Sequence, residues 1–185
     1  MSFITPSARL YHPTFGNIDI YYNDDGIYKL AFSSVDLTAG DQTGTASVVY
    51  STTEQALAGA NNILGYLAGE SNELKIPVDW SIFPEFQKKV LKLAYDIPFG
   101  TVETYGQLAV RTGDPKSSRA VGAALGKNPI PIVIPCHRVV GADGSMHGYS
   151  APGRLATKAW LLRLEGHSFL PLSELTLQKD ENGHY

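Results

Sequence analysis

Residues 128–140 read Asn-Pro-Ile-Pro-Ile-Val-Ile-Pro-Cys-His-Arg-Val-Val, and no other stretch restricts the chain as strongly. Pro129 and Pro131 each fix φ, so 128–131 is a stiff connector. Ile132, Val133 and Ile134 are apolar and rich in β-branched side chains, which predicts a short buried strand. That strand must stop at Pro135, which has no N–H to give to a ladder. Cys136, the only cysteine in 185 residues, is then expected at the mouth of a pocket. A thiol reacts as its thiolate, and a free cysteine with a pKa of about 8.5 is mostly protonated at neutral pH. His137 and Arg138 can assist it. Neighbours on an extended chain point to opposite faces, however, so His137 reaches Cys136 only across a turn after Pro135 or through a bridging water. The plainer alternative is a lone cysteine acting as a small buried hydrophobe.

Hydrophobic residues make up 43% of the chain and aromatic residues 10%, enough for one large globular domain or two small ones. One cysteine excludes an internal disulfide. With no paired Cys-x-x-Cys or His-x-x-x-His spacing to suggest zinc, a reducing cytoplasm is expected, with no metal and no cofactor. No basic stretch leads into an apolar core near Met1, and no run approaches a membrane span. The net charge of −3 conceals a division: residues 1–79 carry 3 Lys/Arg against 9 Asp/Glu, whereas residues 80–170 carry 11 against 6. A local basic surface can bind phosphates on an acidic protein, although a solvated face with no partner looks the same from charge alone.

Along the chain, 17–22 and 27–32 alternate as strands about the turn Asp24-Asp25-Gly26, and 47–50 offers a third strand beyond a Gly/Thr/Asp-rich loop at 38–45. Ser51 and Glu54 stand in capping-box spacing before a helix carrying Leu57, Leu64 and Leu67, closed by Gly69. Asp19, Asp24, Asp25 and Asp36 read as turn and surface residues. The aperiodic, Pro77-containing stretch 70–81 coincides with the charge change and marks a boundary, giving domains 1–79 and 80–170 and an acidic tail 171–185. A helix should begin near Pro84 with Phe86, Val90, Leu93 and Ala94 inward. Thr104 and Gln107 form a capping box for a helix over 105–112. Gly113-Asp114-Pro115 is a turn, and Ser117 or Ser118 caps a second helix ending about Gly126. The two helices have helix-turn-helix outline, and Ala120, Gly122, Ala123, Ala124 and Gly126 leave room for close approach to the second. Gly141-Ala142-Asp143-Gly144 is a turn, 148–153 a loop that can wall a pocket, and 155–165 a closing helix with Trp160, Leu161 and Leu164 on its apolar side.

The chain resembles the methylated-DNA–protein-cysteine methyltransferases, or O6-alkylguanine-DNA alkyltransferases. The resemblance rests on Pro-Cys-His-Arg-Val at 135–139, Phe-Gly-x-Val-x-x-Tyr at 99–105 and Arg-Ala-Val-Gly at 119–122. It is extended by Asn128-Pro129, Gly148-Tyr149-Ser150 and Leu-Glu-Gly at 164–166. These motifs cover about 80–166; over 1–79 only the strand-strand-strand-helix order is compatible. The implied fold is α+β (α/β), a small ribonuclease-H-like N-terminal domain followed by a mainly helical domain with a helix-turn-helix.

That resemblance implies a repair protein in which Cys136 takes an alkyl group, once and irreversibly, from O6-alkylguanine, and also from O4-methylthymine, in double-stranded DNA. The nucleotide is turned out of the duplex, Arg119 fills the gap, and Tyr105 assists the turning or the return of a proton to guanine. His137 deprotonates Cys136 through a water with Glu165 behind it, and Asn128 braces the segment. Tyr149, Ser150 and the backbone at Val139 hold the guanine. Ser118, Ala120, Gly122 and Arg138 are further DNA- or substrate-facing residues, with the second helix of the pair in the minor groove. A monomer in solution is expected, and the sequence leaves open whether copies assemble cooperatively on DNA. Two departures stand out: many relatives carry Gly-Gly after Tyr-Ser and glycine near 147, where this chain has Ala151-Pro152-Gly153-Arg154 and His147. The cysteines that bind zinc in some relatives are missing here. A Cys-His hydrolase would account for Cys136, His137 and Glu165 but not for Arg119 and its basic surroundings. A non-catalytic lesion-binding relative would lack the cysteine.

Overall fold

A computed structural model describes residues 5–33, 45–151 and 154–167. The loop expected at 38–45 (apart from Thr45), Asp36, Pro152, Gly153 and the acidic tail lie outside them. The chain forms two compact units, one ending at Pro84 and the next beginning at Glu85.

The first unit is an antiparallel sheet of β1 (Ala8–His12), β2 (Gly16–Asn23), β3 (Gly26–Ser33) and β4 (Ser47–Ser51), in the order β3-β2-β1-β4, with helix α1 (Glu54–Leu67). Strand β1 has no counterpart in the sequence reading. Its alternation is real, Ala8 and Leu10 inward, but His12 occupies the third inward position and disguises it. Ala8, Leu10, Ile18, Ile20 and Ile27 are fully buried, as are Ala56, Ala60, Ile63 and Tyr66 of the helix. Leu57, by contrast, is exposed. The helix is capped by Thr53, whose hydroxyl accepts from Ala56 N–H at 3.1 Å, and not by Ser51. The Ser51 hydroxyl instead donates to the Thr53 carbonyl, two residues on. Asp19 is likewise not a surface turn residue: it is buried in β2, opposite Arg9 in register, and accepts the guanidinium at 2.5 and 2.8 Å.

The β2–β3 hairpin turns on Asp24-Asp25, with the Asn23 side-chain oxygen accepting from the Asp25 and Gly26 N–H groups at 3.0 and 3.1 Å. Ile27 of β3 also exchanges backbone hydrogen bonds with Pro77 and Asp79. With Ile76, Val78 and Phe83 buried, the segment read as a linker is part of the first unit, which is why the chain divides at Pro84.

The second unit packs α2 (Glu85–Tyr95), α3 (Tyr105–Thr112), α4 (Ser118–Gly126) and α5 (Arg154–Leu164) around the 128–140 segment, with a two-residue parallel pairing of β5 (Glu103–Thr104) and β6 (Val139–Val140). Val90, Leu91 and Ala94 form the inner face of α2, while Phe86 is exposed. Helix α3 has the full capping box: Gln107 N–H donates to Thr104 Oγ1 at 3.1 Å and Thr104 N–H to Gln107 Oε1 at 2.6 Å. Gly113, at φ 95°, ends it, and Lys89 of α2 donates to the Thr112 carbonyl at 2.8 Å. Ser117 precedes α4 without capping it, because its hydroxyl is turned back to the Asp114 carbonyl. In α5 the buried set is Thr157, Lys158, Ala159, Leu161 and Leu162, with Trp160 and Leu164 only half-buried.

Gly26 carries a direct test. Its φ is +138° and an added Cβ would lie 2.5 Å from the Pro77 carbonyl oxygen, a backbone atom that cannot swing aside. Gly26→Ala is expected to destabilise the first unit by about 2 kcal/mol or more, since left-handed strain and a backbone clash add. Urea unfolding with equal midpoints for the two proteins would contradict it.

Candidate active site

Residues 132–134 are buried, as expected, but they do not form a strand. Three prolines within seven residues (129, 131, 135) remove the donors that a ladder needs, and the chain folds back on itself. Ile134 N–H reaches the Ile130 carbonyl at 2.9 Å, and Ile132 takes φ 76°, a conformation that β-branched residues rarely adopt. Asn128, itself buried, holds the fold-back from inside. Its Oδ1 accepts from Ile130 N–H at 2.9 Å, and its Nδ2 donates to the Ile134 carbonyl at 2.9 Å and to Cys136 Sγ at 3.3 Å. The connector thus aims an amide at the thiol.

Cys136, His137 and Arg138 form one 3-10 turn, all three buried. The turn that His137 requires is therefore present. Its Nε2 lies 2.8 Å from Glu165 Oε1 at the end of α5. Arg138, expected to face substrate, is committed elsewhere. Its Nε and NH2 donate to Glu165 at 2.9–3.0 Å and its NH1 to the Ile97 carbonyl at 2.6 Å. A buried carboxylate requires this compensation, and the guanidinium fork supplies it. The backbone N–H of Gly100 adds a longer contact of 3.3 Å to the same carboxylate. Gly100 sits at φ 72°, where a Cβ would press on the Glu165 carbonyl at 3.3 Å. The Phe-Gly pair at 99–100 is thus explained by the acid it cradles.

Lys158 was not singled out by sequence. It is fully buried, donates to the Val139 carbonyl at 2.6 Å and the His147 carbonyl at 3.1 Å, and lies 5.8 Å from the centre of the Tyr105 ring. The Val139 carbonyl, expected to serve guanine, already receives this ammonium. One signal was available: Lys158, Leu161, Leu162 and Glu165 follow at i, i+3, i+4 and i+7, a single face of α5 carrying two charges.

Burial pushes the Cys136 thiol above its ordinary range, offset in part by the Asn128 amide, the Lys158 charge and a hydrogen bond from Ser150. Burial pushes His137 down, against the pull of Glu165. Burial alone would raise Glu165, but its hydrogen bonds to His137 and Arg138 prevail and hold it at about 2. Burial draws Lys158 down to about 8 and pushes the Tyr105 hydroxyl up, with Cys136 adding to the latter. The resting arrangement is a neutral thiol and a neutral imidazole backed by an ionised carboxylate.

Beside this cluster is a cavity of about 530 Å³. Helix α4 contributes Ser118, Arg119, Gly122 and Gly126; Tyr105 comes from α3, His147, Gly148 and Tyr149 from the loop, and Arg154 from α5. The Tyr149 ring stands edge-on to His137, with centroids 6.2 Å apart, which joins the cavity to the nucleophile's turn. Tyr105 packs over Gly122, where a Cβ would meet its ring at 3.7 Å. Of the residues expected from sequence, Cys136, His137, Glu165 and Asn128 come together in the buried cluster. Tyr105, Ser118, Arg119, Gly122 and Tyr149 line the cavity, and Ala120 is exposed on α4 outside its lining.

Residues 85–167 match the family model described as 6-O-methylguanine DNA methyltransferase, DNA binding domain. The methylated-DNA–protein-cysteine methyltransferase of Methanosarcina acetivorans is 47% identical over 103 residues, 55% of this chain and 63% of that relative, so under two thirds of its length is spanned. Two Mycobacterium tuberculosis crystal structures are similar over nearly the whole fold. OGT in complex with DNA has a TM-score of 0.67 at 33% identity, covering 85% of this chain and 90% of that one. O6-methylguanine methyltransferase has a TM-score of 0.68 at 30% identity, covering 91% and 98%. By motif, sequence and fold, the chain belongs to the methylated-DNA–protein-cysteine methyltransferase family.

Proposed function

We propose that this chain repairs DNA by direct reversal, transferring the alkyl group of O6-alkylguanine in duplex DNA to Cys136, and that each molecule acts once. The observation that carries the reading is the setting of the sole cysteine: Sγ under the Asn128 amide, in the same turn as a histidine backed by a buried carboxylate, beside a cavity walled by two tyrosines and two arginines.

The thiol proton passes to His137 through water. Nε2 is engaged by Glu165, so Nδ1 is the ring nitrogen that serves the thiol side. Glu165 stays ionised and stabilises the imidazolium that forms. Sγ attacks the alkyl carbon, the S–C bond forms as the C–O6 bond breaks, and guanine leaves with the electron pair. Tyr105, whose hydroxyl burial keeps neutral, gives its proton to the departing base and is reprotonated at the expense of the proton taken up by His137, so that the proton lost by the thiol ends on guanine. The thioether left on Cys136 is inert to water, which makes the protein a consumed reagent. O4-methylthymine presents the same kind of activated alkyl–oxygen bond and belongs to the same substrate class.

The target atom is hidden in a duplex, so the nucleotide must leave the stack at a cost of a few kcal/mol. In this reading Arg119, exposed on α4 at the cavity wall, fills the gap, and the small exposed residues around it allow α4 to lie close against the duplex. Among the described residues no helix is long and apolar enough to cross a membrane.

Incubation with an O6-methylguanine duplex should raise the intact mass of the protein by one methylene, with peptide mapping placing it on Cys136. A bare Cys136 after processing of many equivalents would instead favour a turning-over Cys-His hydrolase. A second test concerns acid. Glu165 is held at about 2 against an ordinary 4.5. Its contribution to stability is therefore complete above pH 4.5 and lost as pH falls toward 2. Glu165→Gln should leave Arg138 buried without its counter-charge, costing about 3–5 kcal/mol at neutral pH. It should also flatten the loss of stability across that acid window. Equal pH slopes for the two proteins in urea unfolding would refute the assignment of that charge.

A further inference from the structure

The lining of the cavity is lopsided in charge. Arg119 and Arg154 both face it, from different helices, and no Asp or Glu is among its lining residues. The rest of the wall is aromatic, hydroxyl, imidazole or glycine. A flat neutral base is satisfied by the tyrosines and backbone groups and needs no guanidinium. A nucleotide swung out of a duplex brings its flanking phosphates with it, and those need cations. Arg119 has its own task in the proposed function, at the gap left in the stack, which leaves Arg154 as the cation of the opposite element.

We infer that Arg154 is the phosphate clamp of the extruded nucleotide, a positioning residue whose guanidinium grips the backbone phosphate carried into the cavity. Three observations converge. Arg154 is exposed at the cavity wall, so its charge is available to a ligand. It is the first residue of α5, where the helix's own N-terminal field adds to its charge. Its backbone adopts φ 43°, a left-handed conformation costly for a residue with a side chain, and such strain persists where the surroundings require it. Arginine suits the task better than lysine because its planar fork meets two phosphate oxygens at once.

The inference rests on the proposed function, and its test separates the two. Full-length wild type, Arg154→Gln and Arg154→Lys are compared for binding to an O6-methylguanine duplex over a range of salt, and for the rate of Cys136 methylation from that duplex and from free O6-methylguanine. Loss of one phosphate contact should weaken binding by Arg154→Gln about tenfold and make the log–log salt slope shallower by about 0.9. The ratio of duplex to free-base rates should fall by a similar factor. Arg154→Lys should keep most of the slope while binding more weakly, and so serves if the glutamine variant folds poorly. An unchanged salt slope, or equal losses on duplex and free base, overturns the clamp. If wild-type Cys136 gains no methyl group while the slope still changes, the proposed function fails and the phosphate contact stands.

Discussion

The second unit is organised around one buried carboxylate. Glu165, at the end of α5, receives His137, Arg138 and the Gly100 backbone, and so ties the closing helix to the nucleophile's turn and to the loop before α3. An ionised group removed from water costs several kcal/mol unless it is met by charge and hydrogen bonds in good geometry. Arg138 meets that requirement, so the charge balance of Glu165 does not depend on a protonated His137. Under the proposed function, a charge-paired acid behind a buried imidazole is what lets His137 take up the thiol proton through the bridging water.

The same burial that protects the thiol suppresses it. Cys136 is surrounded by Asn128, Lys158 and Ser150, each of which favours the thiolate, yet the removal of water outweighs them. Lys158 adds a structural role. By holding the Val139 and His147 carbonyls at once, it fixes the nucleophile's turn relative to the loop that walls the cavity. His147 packs at a tilt against Tyr105, with ring centroids 6.0 Å apart, and bonds to Ser145 at 2.9 Å, so this chain closes its cavity wall with a ring.

Local chemistry was legible in the sequence wherever it was decided locally. The Thr104–Gln107 capping box gave the span of α3 to the residue, and the hairpin about Asp24-Asp25 followed from alternation and turn residues. Cys136, His137, Asn128 and Glu165 were readable because each lies in a short, chemically distinctive motif. What escaped was decided by partners distant in sequence. Ile132, Val133 and Ile134 have strand propensity, but flanking prolines and the Asn128 side chain turn them into a fold-back. Arg138 looked like a substrate contact because nothing adjacent to it signals Glu165, 27 residues away. Lys158 reads as surface by type, and only its place on the inward face of α5 indicates otherwise. The capping of α1 by Thr53 in place of Ser51 shows that spacing alone does not choose between neighbouring hydroxyls.

The resting thiol is neutral, and under the proposed function it becomes a nucleophile only through His137 and Glu165 when substrate is seated. The most direct measurement is the pH dependence of Cys136 alkylation by iodoacetamide in the free protein, read by intact mass, since no second cysteine competes. Little reaction is expected at neutral pH, with a midpoint above that of an ordinary thiol. That midpoint should fall back to the ordinary thiol range when the protein is unfolded in urea. A folded protein whose Cys136 reacts fully at neutral pH, with a midpoint below that of the unfolded chain, would contradict it.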